Sequence, residues 1–341
     1  MAEYVLKYSE TDGFFYGEEA TGGLEYFDEA RDTDTPNATV PAHQFVAMGA
    51  ESNIDIVISP KGTGAILAQV PDGTATGGNK RGQNAVDLQQ TRTSASQVAS
   101  GDYSMVLGGA KNTASGYGAI SIGGYWNNLA SGNNSFIAGG TNNTASGSTS
   151  FASGNSNTAS GNGSAVVNGS TNIASGNFSF VGSSIHAKAS NYGQQAHAAG
   201  RFAATGDAQQ TELVYRRNIT NSSGDYAYYE LFLDGSSERF VLPNYSNFNL
   251  LVQIEIRRVG GSEHFVGTYL VGIKRDANAG TTAVYDVTTL QEADSGASTY
   301  VSPMITGDTT NGSLKIEVNI PSGFNCYAVA AVRSAEGFAG S

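Results

Sequence analysis

Apolar and polar positions recur along the middle of the chain with a period near 15 residues. The tripeptide Ala-Ser-Gly marks each repeat, beginning at Ala99, Ala114, Ala130, Ala145, Ala159 and Ala174, with a degenerate copy at Ala189. Three residues after each motif glycine stands a small side chain: Ser104, Ala119, Ser135, Ser150, Ser164 and Ser179. The next column is mostly large and apolar (Met105, Ile120, Phe136, Phe151, Ala165, Phe180), and the one after it is Val106, Ser121, Ile137, Ala152, Val166 and Val181. Regularity of this kind predicts a solenoid, in which each repeat is one rung and buries little until its neighbours stack on it.

A rung of about 15 residues has room for two short strands and two turns, and stacking advances the coil by roughly 4.8 Å per rung. Side chains alternate faces along a strand, so the Met105 and Val106 columns lie on opposite faces. Both are largely apolar, which predicts burial on both faces, one inside the coil and one against a partner. Met105, Ile120, Phe136, Phe151, Phe180, Val106, Ile137, Val166 and Val181 are therefore the expected rung-packing and trimer-packing residues, and the chain is expected to be a homotrimer. An Asn-rich turn closes each rung: Asn112, Asn127-Asn128, Asn142-Asn143, Asn157 and Asn172. Gly and Asn tolerate positive φ and suit the corners of a coil. Those corners are expected to be solvated, so Phe136→Asp is expected to damage folding or assembly far more than Asn143→Asp.

A helical alternative fails, because Gly, Ser, Asn and Thr are poor helix formers. A flexible linker would have no reason to keep Phe, Ile and Val in register. Between Val98 and Gly200 the only charged residues are Asp102, Lys111 and Lys188. Stacked like charges would repel at a spacing of about 4.8 Å, whereas Asn, Ser and Thr ladders hydrogen-bond.

Outside the repeats the pattern changes. Residues 1–44 are aromatic and acidic and read as a docking segment. Residues 45–90 read as a β-rich entry module, with strands near Phe45–Met48, Ile54–Ser59 and Ala65–Val70. The roll proper is read as 91–204. From 205 to 341 the charges return, and segments such as Leu251–Arg257 and Leu314–Ile320 alternate apolar and polar positions. Further strands are expected at Glu212–Arg217, Tyr228–Leu233, Arg239–Leu242, Val266–Lys274, Thr281–Val287 and Tyr327–Arg333. The fold class is all-β: a β-roll followed by a C-terminal β-sandwich or jelly-roll-like domain.

The rung Ala-Ser-Gly-Asp-Tyr-Ser-Met-Val-Leu-Gly-Gly-Ala-Lys-Asn-Thr (residues 99–113) resembles the β-roll repeats of trimeric autotransporter adhesin heads. It is still more similar to the related repeats of tailed-bacteriophage tail fibres. The flanks Ile56–Ala65 and Pro71–Gly82, the exit segments Tyr192–Phe202 and Gly206–Gln209, and Leu233–Arg239 with Asp308–Gly312 strengthen that resemblance. It implies a trimeric tail fibre or receptor-binding protein. Its N-terminus would dock on other tail or baseplate proteins. Its C-terminal domain would bind a host-surface glycan or protein by multivalent, non-catalytic contact. A bacterial trimeric surface adhesin is the first alternative and a polysaccharide-cleaving tailspike the second.

Composition narrows these choices. A net charge of -12 argues against nucleic-acid binding and against a basic membrane-surface patch. No run of about 20 apolar residues occurs, so membrane insertion is not expected. Met1-Ala2-Glu3-Tyr4 carries no basic export signal, which favours a virion protein assembled in the host cytoplasm over an exported adhesin. The single Cys326 excludes an intrachain disulfide framework and reads as a core residue. His43, His186, His197 and His264 show no ligand spacing, so neither a metal nor a cofactor is expected.

Catalysis of glycan cleavage uses paired carboxylates. The rungs supply only Asp102, and the C-terminal candidates, Asp234 with Glu238 and Glu292 with Asp294, read as surface acids. The chain is therefore expected not to be an enzyme. Aromatic side chains stack on sugar rings, so Tyr226, Tyr228, Tyr229 and Trp126 are the candidate glycan contacts. Alternation puts Tyr228 and Tyr229 on opposite faces of their strand.

Overall fold

The computed structural model describes residues 57–295 and 301–338, Asn53 and, nearer the N-terminus, four strands. The chain forms two units, Met1–Lys61 and Gly62–Ser341. In the first, Leu6–Tyr8 pairs antiparallel with Phe15–Gly17, and Phe27–Asp32 with Ala42–Ala47. The proposed strand at Ile54–Ser59 lies partly outside the described residues, and its remainder, residues 57–59, is not in a strand.

The second unit opens as a β-solenoid of about seven turns with roughly 15 residues per rung. Each rung contributes one strand to each of two parallel sheets. One sheet stacks Thr113–Ala114, Leu129–Ala130, Thr144–Ala145 and their successors to Lys188–Ala189. The other stacks Met105–Leu107, Ile120–Ile122, Phe136–Ile137 and onward to Gln195–His197. It begins earlier than the 91–204 boundary, because Ile66–Leu67 and Val86–Asp87 are already rungs of the same sheet.

The rung interior is narrow. The motif alanines Ala114, Ala130, Ala145, Ala159 and Ala174 face Val106, Ile137, Ala152, Val166 and Val181, and all are fully buried. The Met105 column points outward and is half-buried to exposed, with Phe180 at 40%. The two parities thus divide into a coil filling and an outer face.

One sequence reading needs correction. The buried corner asparagines Asn112, Asn128, Asn143, Asn157 and Asn172 are not solvated. Each Oδ1 from Asn128 onward accepts the backbone N–H of the residue in the same column one rung on, as from Asn143 to Asn128 at 3.0 Å and from Asn157 to Asn143 at 3.1 Å. Each Nδ2 donates to a backbone carbonyl, such as that of Gly154 for Asn143 at 2.8 Å. The positive-φ corner positions are instead Gly109, Gly124, Gly140 and Gly154, with φ between +77° and +99°, and neighbours such as Asn127 and Asn142. The motif glycine is needed for a different reason: a Cβ at Gly147 would overlap the carbonyl oxygen of Gly161 on the next rung.

The entry rungs bury an ionic cluster in which Arg81 Nε donates to Asp87 Oδ2 at 2.7 Å and Arg92 Nη2 to the same oxygen at 3.1 Å, with all three side chains at most 1% exposed. Arg81 also donates to the Gly77 and Asn79 carbonyls and Arg92 to those of Gln89 and Gln97, so the guanidiniums stitch the irregular entry segment onto the first full rung.

The C-terminal domain is a two-sheet β-structure. Its strands are β1 (Ala208–Thr220), β2 (Ala227–Glu230), β3 (Ser246–Arg258), β4 (His264–Arg275), β5 (Ala283–Asp294), β6 (Val301–Asp308), β7 (Ser313–Ile320) and β8 (Asn325–Phe338). One sheet runs β5-β4-β3-β8-β1 and the other β2-β7-β6. Alternation along β1, β3 and β8 buries one face of the larger sheet against β7, around Tyr215, Phe248, Leu250, Ile316 and Cys326. Arg239–Leu242 is not a strand; only Val241 bridges, to Ser313. β1 pairs antiparallel with Gln195–His197 of the last rung, so roll and domain share one continuous 14-stranded sheet.

Candidate ligand cavity at the roll junction

Where the roll meets the C-terminal domain, two loops fold back over the last rung. The first, Ala203–Asp207, is built on Asp207, whose carboxylate accepts backbone N–H groups from Phe202, Ala203 and Ala204. Desolvation alone would raise the Asp207 carboxyl, but those three donors outweigh it and hold the group below its ordinary value. The second loop, Val241–Tyr245, is anchored by Val241 N–H donating to Asn191 Oδ1 at 3.1 Å and Tyr245 N–H donating to the Asp276 carbonyl at 3.0 Å. Between them lies a cavity of about 380 Å³. A second, of about 520 Å³, adjoins it and shares Lys188, Ser190, Asn191, Val241 and Pro243.

Two buried acids line the cavity, Asp207 and Glu336. Glu336 on β8 is 8% exposed, its Oε2 accepting from Gln209 Nε2 and its Oε1 from Ser334 Oγ, both at 2.8 Å. Burial pushes its carboxyl up, against the lowering effect of hydrogen bonds from Thr211, Ser334 and Gln209. Gln209 Oε1 in turn accepts the Lys188 backbone N–H at 2.8 Å, which ties the acid to the last rung. Tyr245, with φ +57°, stands at the rim and is 52% exposed. A cleft with an aromatic rim, amides and hydroxyls suits a polyhydroxylated ligand. Two carboxyls held in opposite protonation tendencies also line it, an arrangement found where acid and base roles are divided.

The residues proposed from sequence lie elsewhere. Tyr226, in the loop before β2, and Tyr228, on β2, are 53% and 50% exposed, while Tyr229 packs against the domain core under Arg217. Trp126 is on the roll, at φ +79° and 45% exposed, with its ring centroid 5.5 Å from that of Tyr125 and the Lys111 ammonium 4.3 Å above it. None of the four lines the cavity. Met105, Ile120, Phe136, Phe151 and Phe180 form the outer column, and Val106, Ile137, Val166 and Val181 fill the coil. Sequence reasoning missed Glu336, Gln209 and Tyr245. Only Pro243-Asn244-Tyr245 carried a usable turn signal, because the cavity joins segments more than 120 residues apart.

Asp234 is held low, since the Ser236 hydroxyl and the backbone N–H groups of Ser236, Ser237 and Glu238 outweigh its desolvation. Glu292 Oε1 accepts the Tyr269 hydroxyl at 2.6 Å on the edge strand. Among the described residues no group of three or more His, Cys, Asp or Glu side chains is placed to hold a metal ion.

No family model and no curated protein matches the chain. Among solved structures it is similar to the tailspike protein of Acinetobacter baumannii phage AM24, at 11% identity and a TM-score of 0.25 over 82% of this chain and 53% of that one. It is also similar to the tailspike of Acinetobacter phage vB_ApiP_P1, at 9% identity and a TM-score of 0.23 over 76% and 55%. A third is tailspike protein gp49 of Acinetobacter baumannii bacteriophage Fri1, described as a capsular polysaccharide depolymerase, at 10% identity and a TM-score of 0.22 over 80% and 44%. The chain spans about half the length of these solved chains. The likeness is remote, and the functional reading rests on this chain's own residues. The expectation of a protein without enzymatic activity is nevertheless corrected: one of these solved chains is described as a capsular polysaccharide depolymerase.

Proposed function

We propose that this protein is a receptor-binding component of a phage tail, a homotrimer that holds a host-surface polysaccharide against its shaft. The single observation that carries the reading is the junction cavity, fixed to the roll by the shared sheet and lined by Tyr245, Asn191, Lys188 and Glu336. A rigid spacer ending in a rigid site suits attachment, because little conformational entropy is lost when several copies bind at once. Residues 1–44 are the docking segment for other tail proteins in this reading. The outward Met105 column supports association of copies.

A second reading is favoured by one observation, that two buried carboxyls, Glu336 raised and Asp207 lowered, line the same cavity: the bound polysaccharide is cleaved, with Glu336 as the proton donor. One experiment tests both. Purified protein is titrated with extracted host polysaccharide while new reducing ends are measured. Binding that falls about 10-fold in Tyr245→Ala, a loss of roughly 1.4 kcal/mol, supports the cavity as the site. Unchanged binding in that variant removes it. Reducing ends that appear with the wild type and vanish in Glu336→Gln support cleavage, and their absence in both rules it out for that polysaccharide.

A further inference from the structure

The outer face of the long sheet carries one unbroken row of side chains. Register links Ile66 to Val86 and Val86 to Met105, and then follows the outer column rung by rung to Phe180. The row crosses the junction through Gln195 to Glu212 on β1. It continues through Arg333 on β8, Leu251 on β3, Leu270 on β4 and Thr288 on β5. No member is buried, although the next residue along the strand is buried at almost every step. One residue from each of 14 strands, at about 4.8 Å per step, makes a row roughly 60 Å long. Beside it in the roll run Leu88, Leu107, Ile122 and Val167, between 38% and 47% exposed. The cavity lies on the opposite face: Gln209 and Glu336 are inward residues of the same strands that present Glu212 and Arg333 outward.

We propose that further copies of this chain cover this row, parallel and in register, along the C-terminal domain as well as the roll. The proposal rests on the reading of the protein as an assembly of copies and names the surface they share. The spacing selects the occupant. A covering partner must offer apolar groups every 4.8 Å or so for roughly 60 Å. An α-helix has a pitch of about 5.4 Å and drifts out of step within a few turns, and a compact partner touches few rungs. A second copy matches by construction. A strip of about 60 by 12 Å gives some 700 Å² per copy, close to the roughly 800 Å² per partner of a stable interface. Charge agrees. The chain carries a net -12, yet the row's only charged members are Glu212 and Arg333, which neutralise each other at 3.1 Å. Parallel copies related by rotation about an axis along the roll close into a finite assembly.

This surface makes the C-terminal domain part of the shaft's seam, while the cavities face away from it. The test uses the full chain by light scattering over a concentration series, with Phe136→Arg in the roll, Leu270→Arg in the domain and Val259→Arg off the row. Leu270→Cys is oxidised in parallel and read for covalent dimers; the native Cys326 is buried. The expected result is a multimer that both row variants weaken at least 10-fold, that Val259→Arg leaves intact and that Leu270→Cys cross-links. A monomeric wild type overturns the seam entirely. A multimer weakened by Phe136→Arg alone, with no Leu270→Cys cross-link, overturns its extension into the C-terminal domain. Should Leu270→Arg fail to fold, the cross-link decides. Polysaccharide binding, measured on the same samples, reports separately on the cavity, so its loss with assembly intact leaves the seam standing.

Discussion

A single asparagine shows how far one residue's role depends on which way it points. Asn143 donates from Nδ2 to the Gly154 carbonyl at 2.8 Å and accepts the Asn157 backbone N–H at Oδ1, fully buried. Asn143→Asp replaces the donor with a charged acceptor facing acceptors, so the lone chain is expected to lose several kcal/mol, more than it loses through Phe136→Asp on the outer face. Chemical denaturation of the two variants checks this order, which reverses the one expected for solvated corners. Gly147→Ala should cost about 1–3 kcal/mol through overlap with Gly161, seen as a lower melting temperature. Glu336 makes a pH-dependent contribution. Its folded-state pKa lies above the ordinary 4.5, so its stabilisation is present below that value and is lost as pH rises through the folded one. Glu336→Gln is expected to melt above wild type near pH 8 and level with it near pH 4.

The entry rungs depend on a cluster that composition alone does not mark. Asp87 is the one carboxylate paired with two guanidiniums in a site from which water is excluded, so Asp87→Ala leaves both charges buried without a counter-ion and is expected to cost about 3–5 kcal/mol. Limited proteolysis should then cut first between Gly62 and Arg92, and unchanged resistance there would contradict the assignment. Arg81, Asp87 and Arg92 look like ordinary surface charges in the sequence, because nothing local reveals that three turns converge. The regular rungs were legible by contrast, since each strand repeats its neighbour. In the C-terminal domain the alternating strands β3 and β7 were legible too. β6 was not, as Val301–Asp308 holds Pro303 and Gly307 within eight residues. Arg239–Leu242 has strand composition but makes one bridge, through Leu314 N–H to the Phe240 carbonyl and Leu242 N–H to the Gly312 carbonyl.

Across the second unit, the shared sheet makes roll and C-terminal domain one body. A fragment of residues 62–341 is expected to melt in a single calorimetric transition that shifts upward when polysaccharide is bound. Two separated transitions would show that the junction does not couple them. Residues 205–341 alone keep β1 and β8 but lose Lys188, Ser190 and Asn191, so that fragment is expected to bind the ligand weakly or not at all.

The sequence by itself determined the period, the strand pair per rung and the all-β class. Those follow from which residue types recur, and local sterics and stacking act on them the same way in every rung. It also determined that two apolar columns lie on opposite faces, since alternation is a property of the strand. Only the tertiary structure decided which column fills the coil. That choice depends on the narrow width left by facing alanines, which admits Val106 and Ile137 but leaves Phe136 and Phe151 outside. It likewise decided that the asparagines point inward and that Gln209 and Glu336, 127 residues apart, meet at one cavity wall. Long-range closure brings such groups together, and no local pattern encodes it.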